Sequence, residues 1–275
     1  MKYALVAGNG RFPILALETA RKLGHDVVAV GIKEEAAPEI EALVTRCYWI
    51  SLGELSRLVE ILKLEGIEEV ILAGQVKHVQ IFSSIRPDWR LVKLLASLRS
   101  KNTDALIGGI ARILAEEGIR LADSTRLLKP LVASEGALTR RKLDPGEEAD
   151  VAYGRRVAAA LAGFDIGQSV AICERACVAV EAMEGTDAML RRAASLVNGR
   201  RLSLVKASAR RGHLLFDVPV AGPGTIQVMK ETGTTVLAVD AGRTLLLDRE
   251  EMLEAADRAG IAVAGYPPVE TQERK

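Results

Sequence analysis

The chain has 275 residues, 49% of them hydrophobic and 27% charged, with a formal net charge of +1. That length and apolar content support buried cores with room for two modest domains, which excludes a disordered chain. The near-zero net charge provides no field for holding nucleic acid, so nucleic acid is not an expected partner.

In chain order, the apolar run Tyr3–Ala7 stops at Gly8 and reads as a strand, Pro13–Lys22 has helical spacing, and Val27–Val30 is a second β-branched run. Cys47–Ile50 reads as a strand, Leu52–Leu64 as a helix, Val70–Ala73 as a strand, and Leu91–Leu98 and Leu106–Glu116 as helices. Strands alternating with helices predict an α/β architecture with a parallel sheet, so residues 1–130 are expected to form a Rossmann-like nucleotide- or phosphate-binding domain. Periodicity lapses between Leu128 and Val151, where Pro130, Gly136, Pro145 and Gly146 stand among charges. This predicts an interdomain connection with its boundary near Pro130.

Residues 131–275 read as a second, smaller α/β domain. Its expected elements are a helix over Glu148–Ala162, paired short strands at Ser169–Cys173 and Cys177–Ala182, a helix over Ala188–Val197 and a strand at Leu202–Lys206. A helix over Thr225–Thr232, strands at Thr235–Val239 and Thr244–Leu247, a helix over Arg249–Arg258 and a short strand at Ala262–Ala264 follow. Cys47, Cys173 and Cys177 are too few and too unevenly placed for a disulfide framework or a zinc site and read as reduced thiols. Met1–Ala7 is too short for a secretory segment, and no apolar run approaches the roughly 18 residues of a membrane span, so a cytoplasmic location is expected.

Several polar corners carry candidate chemistry. Gly8-Asn9-Gly10 directly after the first strand suits a phosphate or nucleotide-diphosphate cradle, or else a tight turn that binds nothing. Pro13 stands where a dinucleotide fingerprint has its third glycine, and Val30-Gly31-Ile32-Lys33 offers no ribose-binding acid, which argues against NAD or FAD and a nicotinamide-dependent oxidoreductase. Ala73-Gly74-Gln75-Val76-Lys77-His78 ends a strand at the ligand-gathering edge of a parallel sheet, with Gln75, Lys77 and His78 as donors or as ordinary solvated loop residues. Asn102-Thr103-Asp104 reads as a helix cap, Asp165 as a turn residue, and Asp240 with Gly242 as a hairpin-like turn between two short strands.

At Glu184-Gly185-Thr186-Asp187 a strand-like run breaks and resumes as a helix. Gly185 frees the turn, Thr186 or Asp187 can cap, and the helix start suits an anion, although capping alone would account for the pattern. Asp217 interrupts the apolar run Leu214-Leu215-Phe216-Asp217-Val218-Pro219. A buried unpaired carboxylate is costly, so a metal or a basic partner is expected there, Arg210 or Arg211 being the plain salt-bridge alternative. Asp187 and Glu184 are the next carboxylates, and Lys206 at a strand end is placed to face phosphates. Trp89, Leu91, Leu94, Leu95 and Leu98 share an apolar helix side flanked by Arg90, Lys93, Arg99 and Lys101. Such a face suits interfacial docking, or packing on the sheet with snorkelling cations.

The order of Gly8-Asn9-Gly10-Arg11-Phe12-Pro13, Ala73-Gly74-Gln75-Val76, Gly163-Phe164-Asp165-Ile166-Gly167-Gln168, Glu184–Leu190 and Phe216-Asp217-Val218-Pro219 resembles the UDP-2,3-diacylglucosamine pyrophosphatases of the LpxI type, in lipid A biosynthesis. The resemblance spans Tyr3 to about Gly265, with Glu184–Leu190 its most specific segment. It implies Mg2+-dependent hydrolysis of UDP-2,3-diacylglucosamine to UMP and 2,3-diacylglucosamine 1-phosphate, with Asp217 as the essential carboxylate; Asp217 and, from the reading of the residues, Asp187 are the expected metal ligands. Gly8, Asn9, Gly10, Gly74, Gln75, Lys77, Glu184, Gly185, Thr186 and Lys206 would contact the substrate, both domains contributing. It also implies transient contact with the inner leaflet of the cytoplasmic membrane and is compatible with a homodimer. Where the family tends to carry Gln-Asp-x-Arg, this chain has Gly212-His213-Leu214-Leu215. That departure keeps open a nucleotide-sugar binding protein of the same fold without hydrolysis.

Overall fold

The computed structural model describes residues 2–74, 76, 86–98, 103–123, 127–164, 166–208 and 218–269. The chain divides into two compact units, Met1–Leu128 and Lys129–Lys275.

In the first unit, apolar and β-branched runs form β1 (Lys2–Ala7), β2 (Asp26–Ile32), β3 (Arg46–Ile50) and β4 (Glu69–Ala73), with a two-residue β5 (Arg120–Leu121) at one edge. They pair in the order β3-β2-β1-β4-β5, every ladder parallel. The helices are α1 (Arg11–Lys22), α2 (Leu55–Leu64), α3 (Trp89–Ser97) and α4 (Thr103–Glu116). Val6, Val28 and Val30 of the sheet bury against Leu58 and Leu62 of α2, Leu91 and Leu94 of α3 and Leu114 of α4. Each such side chain contributes about 1.5–3 kcal/mol on leaving water, so this face fixes the helices onto the sheet. α1 packs on β1, β2 and β4.

α2 begins at Leu55, three residues later than its apolar spacing suggests, because Glu54 Oε2 accepts from Ser51 N–H and closes a turn ahead of the helix. The expected apolar side of α3 is divided. Leu91 and Leu94 are buried, whereas Trp89 and Leu95 face outward with Val92. Among the described residues, no helix is long and apolar enough to cross a membrane.

The second unit contains β6 (Gly136–Ala137), β7 (Ser169–Cys173), β8 (Ala176–Val180), β9 (Leu202–Lys206), β10 (Val220–Ala221), β11 (Thr234–Asp240), β12 (Leu245–Leu246) and β13 (Ala262–Tyr266). Six strands form a mixed sheet in the order β6-β13-β11-β9-β7-β8, parallel from β13 through β11 to β9 and antiparallel elsewhere. The helices are α5 (Pro145–Ala162), α6 (Thr186–Leu196), α7 (Pro223–Glu231) and α8 (Arg249–Ala259). One sheet face buries Leu204, Leu237 and Val263 against Met189 and Leu190 of α6, Met229 of α7 and Met252 of α8. The opposite face buries Val170, Ile172 and Val205 against Val151 and Ala158 of α5.

Two expectations are corrected here. Pro145 and Gly146 belong to the first turn of α5, because Asp144 caps the helix: its carboxylate accepts from Glu147 N–H and Glu147 accepts from Asp144 N–H. Asp240 and Gly242 do not close a hairpin, since β12 pairs in parallel with β10 while β11 lies between β9 and β13.

Candidate functional site

Parallel ladders on both sides of β1 place the turn after β1 and the turn after β4 side by side at the carboxyl edge of the first sheet. There the chain leaves toward α1 and β2 on one side and toward β5 on the other. This reversal of strand order is where open α/β sheets leave a crevice for ligands. Gly8 N–H donates to Ala73 carbonyl oxygen (2.8 Å), tying the two turns together. Gly10, with φ +99°, caps α1 without a side-chain hydrogen bond, and Pro13 falls in the first helical turn, where its missing N–H costs nothing.

Gly74 (φ +89°) has the left-handed conformation that favours glycine, and a Cβ there would lie 2.5 Å from the Asn9 carbonyl oxygen and 2.9 Å from Pro13 Cγ. Close approach of the two turns therefore requires glycine. Glu35, just past β2, is buried and accepts from Asn9 Nδ2 at 3.3 Å. Glu35 was missed in the sequence because it lies three residues beyond the strand end, past the place where a ribose-binding acid is sought. Gln75 and Lys77 lie outside the described residues, as do His78, Asn102 and Asp165.

A second cluster forms at one edge of the mixed sheet. β7 runs antiparallel to both β8 and β9, so β8 and β9 end on the same edge, with Ser169 at the start of β7 between them. Ser169 is opposite Lys206, and its carbonyl oxygen accepts from Glu181 N–H at 2.9 Å. α6 then starts over this edge at Gly185 (φ +83°), which forms no side-chain cap. The expected capping by Thr186 or Asp187 is thus corrected: Thr186 is already the first helical residue, and its hydroxyl is used elsewhere.

Lys206, only 6% exposed, donates from Nζ to Thr186 Oγ1 at 2.9 Å. Thr186 Oγ1 donates to Glu181 Oε1, also at 2.9 Å, and Ser169 Oγ lies 3.2 Å from the same hydroxyl. Sequence reasoning missed Glu181 and Ser169, because strand pairing rather than sequence proximity brings them here. Glu184 turns away from this group. It pairs with Arg192 at 2.6 Å and accepts from Ala182 N–H, and its own backbone amide together with Arg192 holds its carboxyl below the usual range. Asp187 is exposed in the first turn of α6, where a carboxylate complements the helix dipole.

Asp240 ends β11 and is 4% exposed, accepting from both Ser208 N–H (2.8 Å) and Ser208 Oγ (3.0 Å) on Oδ2. It anchors the chain two residues past β9, where the sequence reading expected only a turn. Asp217, with Arg210, Arg211 and His213, lies outside the described residues. Among the described residues no three of His, Cys, Asp and Glu gather as a metal cluster, and the three cysteines are free thiols. The second cluster therefore presents a buried ammonium at an uncapped helix start. Both features favour phosphate oxygens, and neither provides a nucleophile.

Residues 2–131 match the LpxI N-terminal domain family, and residues 134–264 match the LpxI C-terminal domain family. A protein of Caulobacter vibrioides named UDP-2,3-diacylglucosamine pyrophosphatase LpxI is 32% identical over 279 residues, covering 98% of this chain and 99% of that protein. Solved structures are only distantly similar. CobK precorrin-6A reductase aligns over 100% of this chain and 90% of its own at 14% identity and a TM-score of 0.33. A UDP-glucose-4-epimerase from Stenotrophomonas maltophila aligns over 43% of this chain and 34% of its own at 17% identity and a TM-score of 0.28. Likenesses this slight carry no weight for the fold or the chemistry.

Proposed function

The chain belongs to the LpxI family across both of its units, and from that premise we propose that it hydrolyses UDP-2,3-diacylglucosamine to UMP and 2,3-diacylglucosamine 1-phosphate. The near end-to-end identity with the Caulobacter pyrophosphatase carries this reading. In the reaction, the oxygen of water forms a bond to one phosphorus as the bridging P–O bond breaks. Such a displacement depends on positioning and on neutralising charge at the phosphate oxygens more than on covalent participation by the protein.

Lys206 is the described residue best placed for that work. Its ammonium is desolvated and directed by Thr186 at the start of α6, whose first amides would add further donors. Gly8, Asn9, Gly10 and Gly74 would let the backbone approach the nucleotide or its phosphates, and Gln75 and Lys77, outside the described residues, are the further substrate contacts expected from the sequence. Magnesium suits this residue set. Mg2+ is commonly held by one or two carboxylates together with substrate phosphates and water, so Asp217 and Asp187 would be enough to hold it without a three-residue cluster. When bound it would supply charge neutralisation at the phosphate oxygens.

A diacylated substrate resides in lipid, and α3 offers a surface for meeting it. Trp89 is 75% exposed, with Val92, Lys93 and Leu95 also outward-facing. We assign to this face transient docking on the anionic inner leaflet.

The test is UMP release from UDP-2,3-diacylglucosamine by the purified chain, with magnesium and with EDTA, beside Asp217→Ala. Chelator-sensitive release that drops at least about 100-fold in the folded variant is expected, the scale for loss of a principal electrostatic group. Binding of the substrate without release would instead make the chain a nucleotide-sugar binding protein. Undiminished release by Asp217→Ala would remove that residue from the chemistry.

A further inference from the structure

Glu181, the first residue after β8, holds its carboxylate within the second unit. Oε1 accepts from the Thr186 hydroxyl, whereas Oε2 is buried without a hydrogen-bond partner among the described residues. A carboxylate retained in that condition costs stability, because a desolvated acceptor goes unmatched. Apolar or amide side chains would serve packing better, so its use lies in what it does to its neighbours.

Those neighbours define a directional chain of hydrogen bonds. The Thr186 hydroxyl has one proton and two lone pairs. Its proton goes to Glu181, since a carboxylate accepts, which leaves both lone pairs for incoming donors. Lys206 Nζ takes one of them at 2.9 Å, and Ser169 Oγ is in range of the hydroxyl at 3.2 Å as the second donor. Glu181 therefore fixes the Thr186 rotor in the one orientation that receives the ammonium. Lysine is a point charge on a flexible four-carbon stem, and its direction has to come from its surroundings.

We infer that Glu181 is a positioning residue: through the Thr186 hydroxyl it fixes the direction of the Lys206 ammonium, and thereby the charge offered to the reacting phosphates. This rests on the proposed pyrophosphate hydrolysis. A glutamine at 181 keeps the shape but can donate to Thr186, which reverses the hydrogen bond and sets it against Lys206 for the same lone pairs.

The experiment is a double-mutant cycle on UMP release, using Glu181→Gln, Lys206→Met and their combination, with Thr186→Val and Thr186→Ser beside them. Thermal melts confirm that each variant folds. Glu181→Gln and Thr186→Val should each lower kcat about tenfold with KM within about twofold, the pattern of an interaction realised in the transition state. In the Lys206→Met background, Glu181→Gln should cost less than about twofold more, because its effect passes through the missing ammonium. Thr186→Ser should regain most of what Thr186→Val loses. A full tenfold loss from Glu181→Gln without Lys206, or a wild-type rate for Glu181→Gln, overturns the positioning role while leaving the hydrolase reading intact. If Glu181→Gln does not fold, the Thr186 pair decides in the same way. A wild-type chain that releases no UMP overturns the hydrolase reading, and this inference with it.

Discussion

The turn after β4 is decided by one residue. Gly74 combines a left-handed φ of +89° with backbone from the turn after β1 lying where a side chain would go. The obstructing Asn9 carbonyl oxygen and Gly8 carbonyl carbon are main-chain atoms tied to β1, so they cannot rotate aside. Gly74→Ala should destabilise the first unit by about 2–4 kcal/mol, from left-handed strain together with overpacking. Urea denaturation measures it, and a loss below about 0.5 kcal/mol would mean that the two turns separate easily. The glycine itself was legible in the sequence as a strand end. The need for it was not, because its partner is 65 residues away in the chain and becomes a neighbour only through the β1–β4 ladder. The same reason hid Glu181 and Ser169, whereas Thr186 and Lys206 could be nominated from their places at a helix start and a strand end.

At the scale of elements, α3 packs one side and exposes another. Leu91 and Leu94 anchor it to the core, and Arg90 is drawn to Glu117 at 2.7 Å, which leaves Trp89, Val92 and Leu95 outward with Lys93. If this face docks on lipid, burying the indole contributes on the order of 1.5–3 kcal/mol, and a lysine near an anionic surface about 1 kcal/mol more. Trp89→Ser should weaken co-sedimentation with phosphatidylglycerol vesicles roughly tenfold, and added salt should weaken binding further. Equal binding by wild type and variant would remove α3 from the interface. Long elements were legible because their apolar spacing repeats, as in β1, α1 and β9. β5, β6 and β10 were not, since two residues carry no period, whereas β12 falls inside the strand expected at Thr244–Leu247. α5 was read short by three residues, although Asp144 and Glu147 spell a capping box that would have placed its start.

For the whole molecule, the alternation of strand and helix made the α/β class and the parallel first sheet legible, while the mixed order of the second sheet depends on pairings that sequence spacing does not encode. With a net charge of only +1, global repulsion has little part in stability near neutral pH, and acid sensitivity falls to individual carboxylates. One carboxylate in each unit shows how. In the first, Tyr48, Lys2 and Arg46 converge on Glu65 and hold its carboxyl below the ordinary value. In the second, burial would raise the Glu147 carboxyl, but Arg141 at 2.7 Å, the Thr235 hydroxyl at 2.7 Å and the Asp144 amide together outweigh burial and lower it. A carboxyl with a lowered folded value binds its proton more readily in the unfolded chain. Its stabilisation is therefore complete above the ordinary range near pH 4.5 and is lost as pH falls through the lowered folded value. Glu147→Gln should accordingly be less stable than wild type at pH 7, and its stability should fall less steeply between about pH 5 and pH 3, so that the two curves converge in acid. Denaturant titrations across that range measure the difference. A constant offset at every pH would assign the loss at residue 147 to packing, because only an ionised carboxylate can give a gap that closes on protonation.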